Sequence, residues 1–469
     1  MTAPLHYLDL LELAATLRSG AQSPVAVTEA MLTRIAALNT HLGSYVTLMA
    51  DTALAEANAA ASEIAAGRYR GPLHGVPLAV KDLCDATGVI TQAGMPRVRG
   101  QLAPATRDAT VVARLRAAGA IVLGKLQLTE GAVAHHHPDI NPPINPHHAG
   151  YWSGASSSGT GVAVAAGLCF GGLGSDTGGS IRFPAFANGI TGIKPTWGRV
   201  SRAGVFALSP SLDHIGPMAR SAADCGAILA AIAGVDDDDP TTLRAAVPDY
   251  LASLDGDLRG LRVGFDEAFA GVNVDRQIVD AMHACVTVLE AAGATRVPIV
   301  FPSIDAVVAA WFPICTGEVA AVHAATFPAR AADYGPGLTS LIEGGRAAGA
   351  MDYARAHETR LNFQGALARL FSTVDVVVAP AWMRQNLTLE EFAHFGEREA
   401  DWPEFIRYTS PFDVSGTPTI SLPAGCNADG APFGFQLAAA HLNEAVLVRA
   451  GHAWQCATAF HRQRPPPPL

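Results

Sequence analysis

The stretch "SSSGTGVAVAAGLCFGGLGSDTGG" (156–179) sets the fold class of this chain. It opens on three serines beside a glycine, continues as a short helix of small residues, and closes on a strand ending at Asp176. A second loop follows at once, "DTGGS" (176–180). Loop, helix, strand and loop in alternation is the rhythm of an α/β fold. The same rhythm recurs on both sides. "LHGVPLAVKD" reads as a short strand ending at Lys81. "DATVVARLRAAGAIVLGK" reads as a helix, a stop at Gly119 and a buried strand over 121–123. "LRGLRVGFDE", "VDVVVAPA", "GTPTISLPAG" and "PFGFQLAAA" add further strands, and "NEAVLVRAGHAWQCAT" a closing helix. Apolar runs without alternation imply a sheet covered on both faces. The expected fold is α/β, a single large domain with a central mixed, mostly buried β-sheet flanked by helices on both faces.

Residues 1–66 read as an N-terminal helical segment packing on the core. Ser23-Pro24 starts a helix there that places Val27, Met31, Ile35 and Leu38 on one face. The main body spans 67–460, with a core over 67–225 and a variable region at about 300–410. The proline-rich tail 461–469 is expected to be an extended, mobile end.

Composition narrows the function classes. The 469 residues are 49% hydrophobic and 16% charged, with a net charge of −10. No basic surface offers itself to nucleic acid or to an anionic membrane. The uncharged run 149–175 is long enough to span a bilayer, but its glycines and serines argue against it. Asp9 and Glu12 interrupt the first apolar run, which reads as an amphipathic helix and not as a signal peptide. Seven scattered cysteines, none in a C-x-x-C pair, fit reduced thiols in a cytoplasm. A monomer or homodimer is expected.

One bias is sharper. Of 32 basic residues only Lys81, Lys125 and Lys194 are lysines. Arginine serves equally well as a solvated surface cation, but it cannot lose its proton. Lys81 emerges from an apolar strand, where desolvation disfavours the ammonium and makes a general base available near neutral pH. The plainer reading pairs it with Asp82. The glycine-flanked serines likewise have a plainer reading as turns and helix caps. Neither loop is a P-loop or a clean Gly-x-Ser-x-Gly elbow.

Taken together, "GVPLAVKD", "SGASSSGTGVAVAAGL", "GLGSDTGGSIRFPA" and "GIKPTWGRVS" resemble the amidase signature family. The resemblance runs over roughly residues 25–455 and takes in "GKLQLTE" (124–130), "GPMARSAAD" (216–224) and the two strands near 416–440. It implies a Ser–Ser–Lys triad with Ser180 as nucleophile, Ser156 as bridging serine and Lys81 as base, and it needs no metal or other cofactor. The backbone N–H groups of Thr177, Gly178, Gly179 and Ser180 are expected to form the oxyanion hole. Asp176, Arg182 and Ser157 are expected to brace the loops. Ala155, Gln127, Ile181, Trp311 and Phe312 are expected around the substrate. The resemblance also implies a cis peptide before the bridging serine, at Ala155–Ser156. Two departures stand out: Ala155 where a glycine is common, and "KDLCD" where Lys-Asp-Asn is common.

Five histidines, His135, His136, His137, His147 and His148, suggest a metal. Neighbouring residues on an extended chain point to opposite faces, so the loop 135–150 reads as a wall of the substrate pocket instead. Glu318 and His323, five apart, have the wrong spacing for one helix face. The expected activity is hydrolysis of a neutral, small-molecule amide, anilide, carbamate or ester. Two alternatives stay open: a glutamine-hydrolysing subunit of a tRNA-dependent amidotransferase, and a catalytically silent binding protein of the same fold.

Overall fold

Strand β2 (Pro77–Lys81) lies between β3 (Ile121–Leu126) and β4 (Gly171–Asp176), parallel to both. This is the arrangement the opening stretch implies, and in the computed structural model, which describes residues 4–466, a larger sheet is built around it. The other strands are β1 (Tyr45–Leu48), β5 (Thr191–Lys194), β6 (His214–Ala219), β7 (Arg262–Phe265), β8 (Thr295–Pro298), β9 (Val376–Pro380), β10 (Thr419–Cys426) and β11 (Pro432–Ala439). All eleven form one sheet in the order β1-β3-β2-β4-β6-β5-β10-β11-β9-β7-β8. Parallel pairs at β3-β2-β4 and β9-β7-β8 enclose an antiparallel centre, so the sheet is mixed. Central strands are buried along their whole length, as their apolar sequences require. The fold is a single α/β domain with helices flanking the sheet.

The structure differs from the sequence reading at three strands. Residues 7–66 are helical over Leu10–Arg18, Pro24–Leu42 and Ala50–Ala65, but β1 interrupts them and pairs antiparallel with β3 at the sheet edge. Strands β5 and β6, "TGIK" and "HIGPMA", carry glycine or proline that masks their strand character. Val27, Met31 and Ile35 are buried on the predicted helix face, and Leu38 packs at its margin. The tail begins with a short 3-10 turn, Phe460–Arg462, after which Arg464 lies over the Tyr7 ring. The final residues 467–469 lie outside the described residues.

Helix Asp305–His323 is long and apolar enough to cross a membrane by length and composition. Its apolar side is occupied within the fold. Val307, Trp311, Ile314 and Val319 are buried, and the helix packs on Pro336–Ala347 and Ala350–Phe371.

The strand directions place the site. Lys81 ends β2 and Asp176 ends the parallel neighbour β4, so both emerge at the same C-terminal edge. Open α/β sheets gather their ligands at such edges.

Candidate active site

Lys81 is fully buried, and its Nζ lies among three hydroxyls: Ser156 Oγ at 2.7 Å, Ser175 Oγ at 2.8 Å and Ser157 Oγ at 2.9 Å. No carboxylate lies within salt-bridge distance of it among the described residues. Asp82, the partner a structural reading would assign, instead pairs with Lys125 at 2.8 Å. Burial therefore lowers the Lys81 ammonium from its ordinary 10.5 to about 7, with Asp176 and Asp213 only partly offsetting the effect. A lysine in this setting can exchange a proton with a hydroxyl at neutral pH.

The serine loop reaches Lys81 through a local irregularity. Gly154 has φ +87°, and a Cβ there would meet the Pro184 backbone at 2.4 Å. The Ala155–Ser156 peptide is cis, as the resemblance implies. Helix Ser158–Ala165 follows directly and is buried at every position. The Ser157 N–H donates to the Ser180 carbonyl at 3.2 Å, which ties the two serine loops together.

Asp176 organises the second loop. Its carboxylate accepts from the N–H groups of Gly179 (2.7 Å), Ile181 (3.0 Å) and Arg182 (3.3 Å). It also binds the Arg182 guanidinium, at 2.8 and 3.0 Å. Burial alone would raise its pKa, but Arg182 holds the carboxyl far below the usual carboxylate range. Arg182 extends the network to Asp413 at 2.6 Å and to the Thr409 carbonyl at 3.0 Å. Removing one partner from a buried charged pair typically costs about 3–5 kcal/mol. Asp176 and Arg182 thus tie the loop together.

One expected oxyanion donor is already engaged. The Gly179 N–H is used by Asp176, which corrects the four-donor reading. The N–H groups of Thr177, Gly178 and Ser180 donate to no protein acceptor among the described residues. Gly179 serves the loop by its shape: its φ is +133°, and a Cβ would strike the Phe183 ring at 2.4 Å. The Thr177 carbonyl accepts from Trp311 Nε1 at 2.8 Å, and the Gly178 carbonyl from Thr409 Oγ1 at 2.5 Å. These bonds satisfy both loop carbonyls with side-chain donors.

Ser180 is half-buried, and its side chain makes no hydrogen bond to a protein group among the described residues. It opens into a cavity that Thr177, Gly178 and Ala155 also line. Phe183, Trp311, Trp402 and Phe405 supply its aromatic walls, and no charged side chain lines it. Trp311 and Trp402 stack with centroids 6.3 Å apart, and Phe183 meets Phe405 at 4.5 Å.

Three expected pocket residues fall elsewhere. Gln127 is bonded locally, its N–H to the Ser44 carbonyl and its Oε1 to the Leu128 N–H. Ile181 is fully buried beneath the loop, where glycines 174, 192 and 216 pack against it. Phe312 lies behind Trp311, edge-on at 5.3 Å. Ala155 and Trp311 do line the cavity. Trp402, Phe405 and Ile406 were missed because they lie more than 220 residues along the chain from Ser180. The aromatics of "DWPEFIRY" were their only signal in the sequence.

The histidines disperse. His135 packs on Phe392, His136 bonds Ser158 Oγ at 3.0 Å, and His137 faces the Asp333 carbonyl. Burial lowers His136 to about 3. His135 and His136 wall a neighbouring cavity that shares Leu341 and Trp402 with the one at Ser180. Glu318 and His323 also separate. Glu318 accepts from Ser209, Ser211 and Tyr353, while His323 faces Tyr334.

A desolvated amine beside glycine-rich serine loops at the edge of a mixed sheet places the chain in a class, the amide-hydrolysing enzymes. The chain belongs to the Amidase family, whose model it matches over residues 26–448. It is 46% identical over 459 residues to AmiD of Mycobacterium tuberculosis, a protein that carries an amidase name; the match spans 98% of this chain and 96% of that one. A glutamyl-tRNA(Gln) amidotransferase chain from Azotobacter vinelandii is 37% identical over 488 residues, spanning 98% of this chain and 99% of its own length. Among solved structures, the native peptide amidase from Stenotrophomonas maltophilia is similar with a TM-score of 0.83 at 33% identity, over 99% of both chains.

Proposed function

We propose that this amidase cleaves neutral amides bearing an aromatic or bulky apolar group, through a Ser180 acyl-enzyme. Carbamates and esters of the same shape fall within its reach. The observation that carries the reading is Lys81 itself, held among serine hydroxyls only and burdened by burial. In the proposed step the Ser180 oxygen attacks the carbonyl carbon as its proton passes to Ser156. Ser156 gives its own proton to neutral Lys81. The carbonyl oxygen becomes an oxyanion against the N–H groups of Thr177, Gly178 and Ser180, an arrangement in which each donor is typically worth about 3–4 kcal/mol. Reversal of the relay protonates the leaving amine as the C–N bond breaks. Water then repeats the sequence on the acyl-enzyme, releasing the acid and restoring Ser180.

The hydrogen bond between Ser156 and Ser180 that the relay uses is not formed in this structure. Ser180 Oγ is unbonded and free to turn, and catalytic hydrogen bonds often tighten only with substrate bound.

The cavity argues for the substrate class. Its aromatic walls suit a flat apolar group, and nothing charged offers itself to an ionic one. Free glutamine carries both an ammonium and a carboxylate, so the uncharged wall disfavours the amidotransferase reading despite the 37% identical relative. A silent binding protein would have no use for a desolvated amine.

A substrate panel tests this. Aryl-acyl nitroanilides, nitrophenyl esters and aryl carbamates are expected to be hydrolysed by the isolated chain, and glutamine to be left intact. Turnover of glutamine with none of the aryl substrates would reverse the assignment.

A further inference from the structure

We propose that Ser175 is a positioning residue for Lys81, its hydroxyl taking one amine N–H and so turning the nitrogen lone pair onto Ser156. The inference rests on the reading of Lys81 as the base, and it comes from counting hydrogens around Nζ.

A neutral amine has two N–H donors and one lone pair. Lys81 Nζ has three hydroxyl neighbours, at 2.7, 2.8 and 2.9 Å. Ser157 is the most constrained of the three. Its Oγ–H donates to the Ser175 carbonyl at 3.3 Å, and its oxygen accepts the Ser175 N–H at 3.2 Å. Ser157 can therefore only accept from Lys81, which uses one N–H. The second N–H and the lone pair remain to be divided between Ser156 and Ser175.

Their surroundings decide the division. Ser156 is fully buried, and Lys81 is its side chain's only protein partner among the described residues. If the lone pair faced Ser175, the Ser156 hydrogen would be left buried without an acceptor, which costs about 1–3 kcal/mol. Ser175 lines a second, open cavity that shares Ala132 and Leu208 with the cavity at Ser180. Its hydrogen can turn into that solvent-open space. The lower-energy arrangement has Ser175 accepting from Lys81 and Ser156 donating to it. That is the arrangement from which Ser156 can pass its proton on and accept another from Ser180.

The titratable groups near Lys81 are Asp176, on the same strand as Ser175, Asp213 before β6, and Cys84 after β2. None of them bonds Nζ, so the hydroxyls alone set its orientation.

The test compares wild type with Ser175→Ala and Ser175→Thr in pH profiles of kcat and kcat/KM on an aryl amide. S175A is expected to lose about tenfold to a hundredfold in kcat, the scale of one lost hydrogen bond to a charged group, with KM little changed. Its ammonium also loses an acceptor, so the acid limb of kcat/KM moves to lower pH. S175T keeps a hydroxyl and is expected to restore both. If S175A does not fold, S175T and the isosteric S175V make the same comparison. Equal kcat and an unmoved acid limb in the hydroxyl-free variant would overturn the inference. Lys81→Ala separates the two layers. If K81A stays active, the base assignment itself fails; if K81A is inactive while S175A matches wild type, only the role of Ser175 fails.

Discussion

Ser180→Ala is expected to lower kcat on an aryl amide by about ten-thousandfold or more, the scale on which serine hydrolases lose their nucleophile. No other hydroxyl can take over. Ser156, Ser157 and Ser158 are fully buried, and Ser175 opens on the other cavity. Among the residues lining the aromatic cavity, Ser180 alone offers a hydroxyl next to unengaged N–H groups; Thr177 is committed to Asp213 at 2.6 Å. The side chain of Ser180 is bonded to no protein group among the described residues, so its removal leaves no buried partner stranded there. Folding and substrate affinity should be retained. Steady-state kinetics with a thermal melt check this. A loss of kcat with an unchanged melt and a near-normal inhibition constant for a product acid is the expected outcome. A variant within tenfold of wild type would rule out Ser180 as nucleophile.

Lys81 should produce the second large effect, with a definite sign in pH. The base must be neutral to accept a proton, and burial places its titration at about 7. Below that value the neutral fraction falls tenfold per pH unit, so kcat/KM should rise with pH through about 7 and level off above it. An ordinary exposed lysine would push that rise beyond pH 10. Lys81→Arg is expected to lose about a hundredfold to ten-thousandfold at every pH, because a guanidinium keeps its proton. A rise centred near 10 in the wild type, or activity in K81R, would contradict the assignment.

Much of this was legible in the sequence because the residues that carry it are grouped along the chain. Lys81 stood out as one of three lysines, at the end of an unbroken apolar strand. The two glycine-serine loops flank a single helix and strand. Other features were hidden for physical reasons. Strand β1 is four residues between helices, and β5 and β6 carry glycine or proline. Gln127, Ile181 and Phe312 are expected around the substrate, but the fold places none of them on the cavity at Ser180. Trp402 and Phe405 arrive from a distant segment that no local pattern links to Ser180. Nothing local in the sequence singles out Ser175, one residue before Asp176. Alternation along β4 turns it to the face opposite Asp176, towards Lys81, and only the register of β2 against β4 shows it.

Trapping the intermediate tests the chemistry most directly. Turnover of an aryl-acyl nitrophenyl ester, quenched in acid and read by intact-protein and peptide mass spectrometry, should show one acyl group added to the wild-type chain. Fragmentation should place that group on Ser180, and Ser180→Ala should carry none. An acyl group on any other residue, or the same adduct on the alanine variant, would contradict a Ser180 acyl-enzyme.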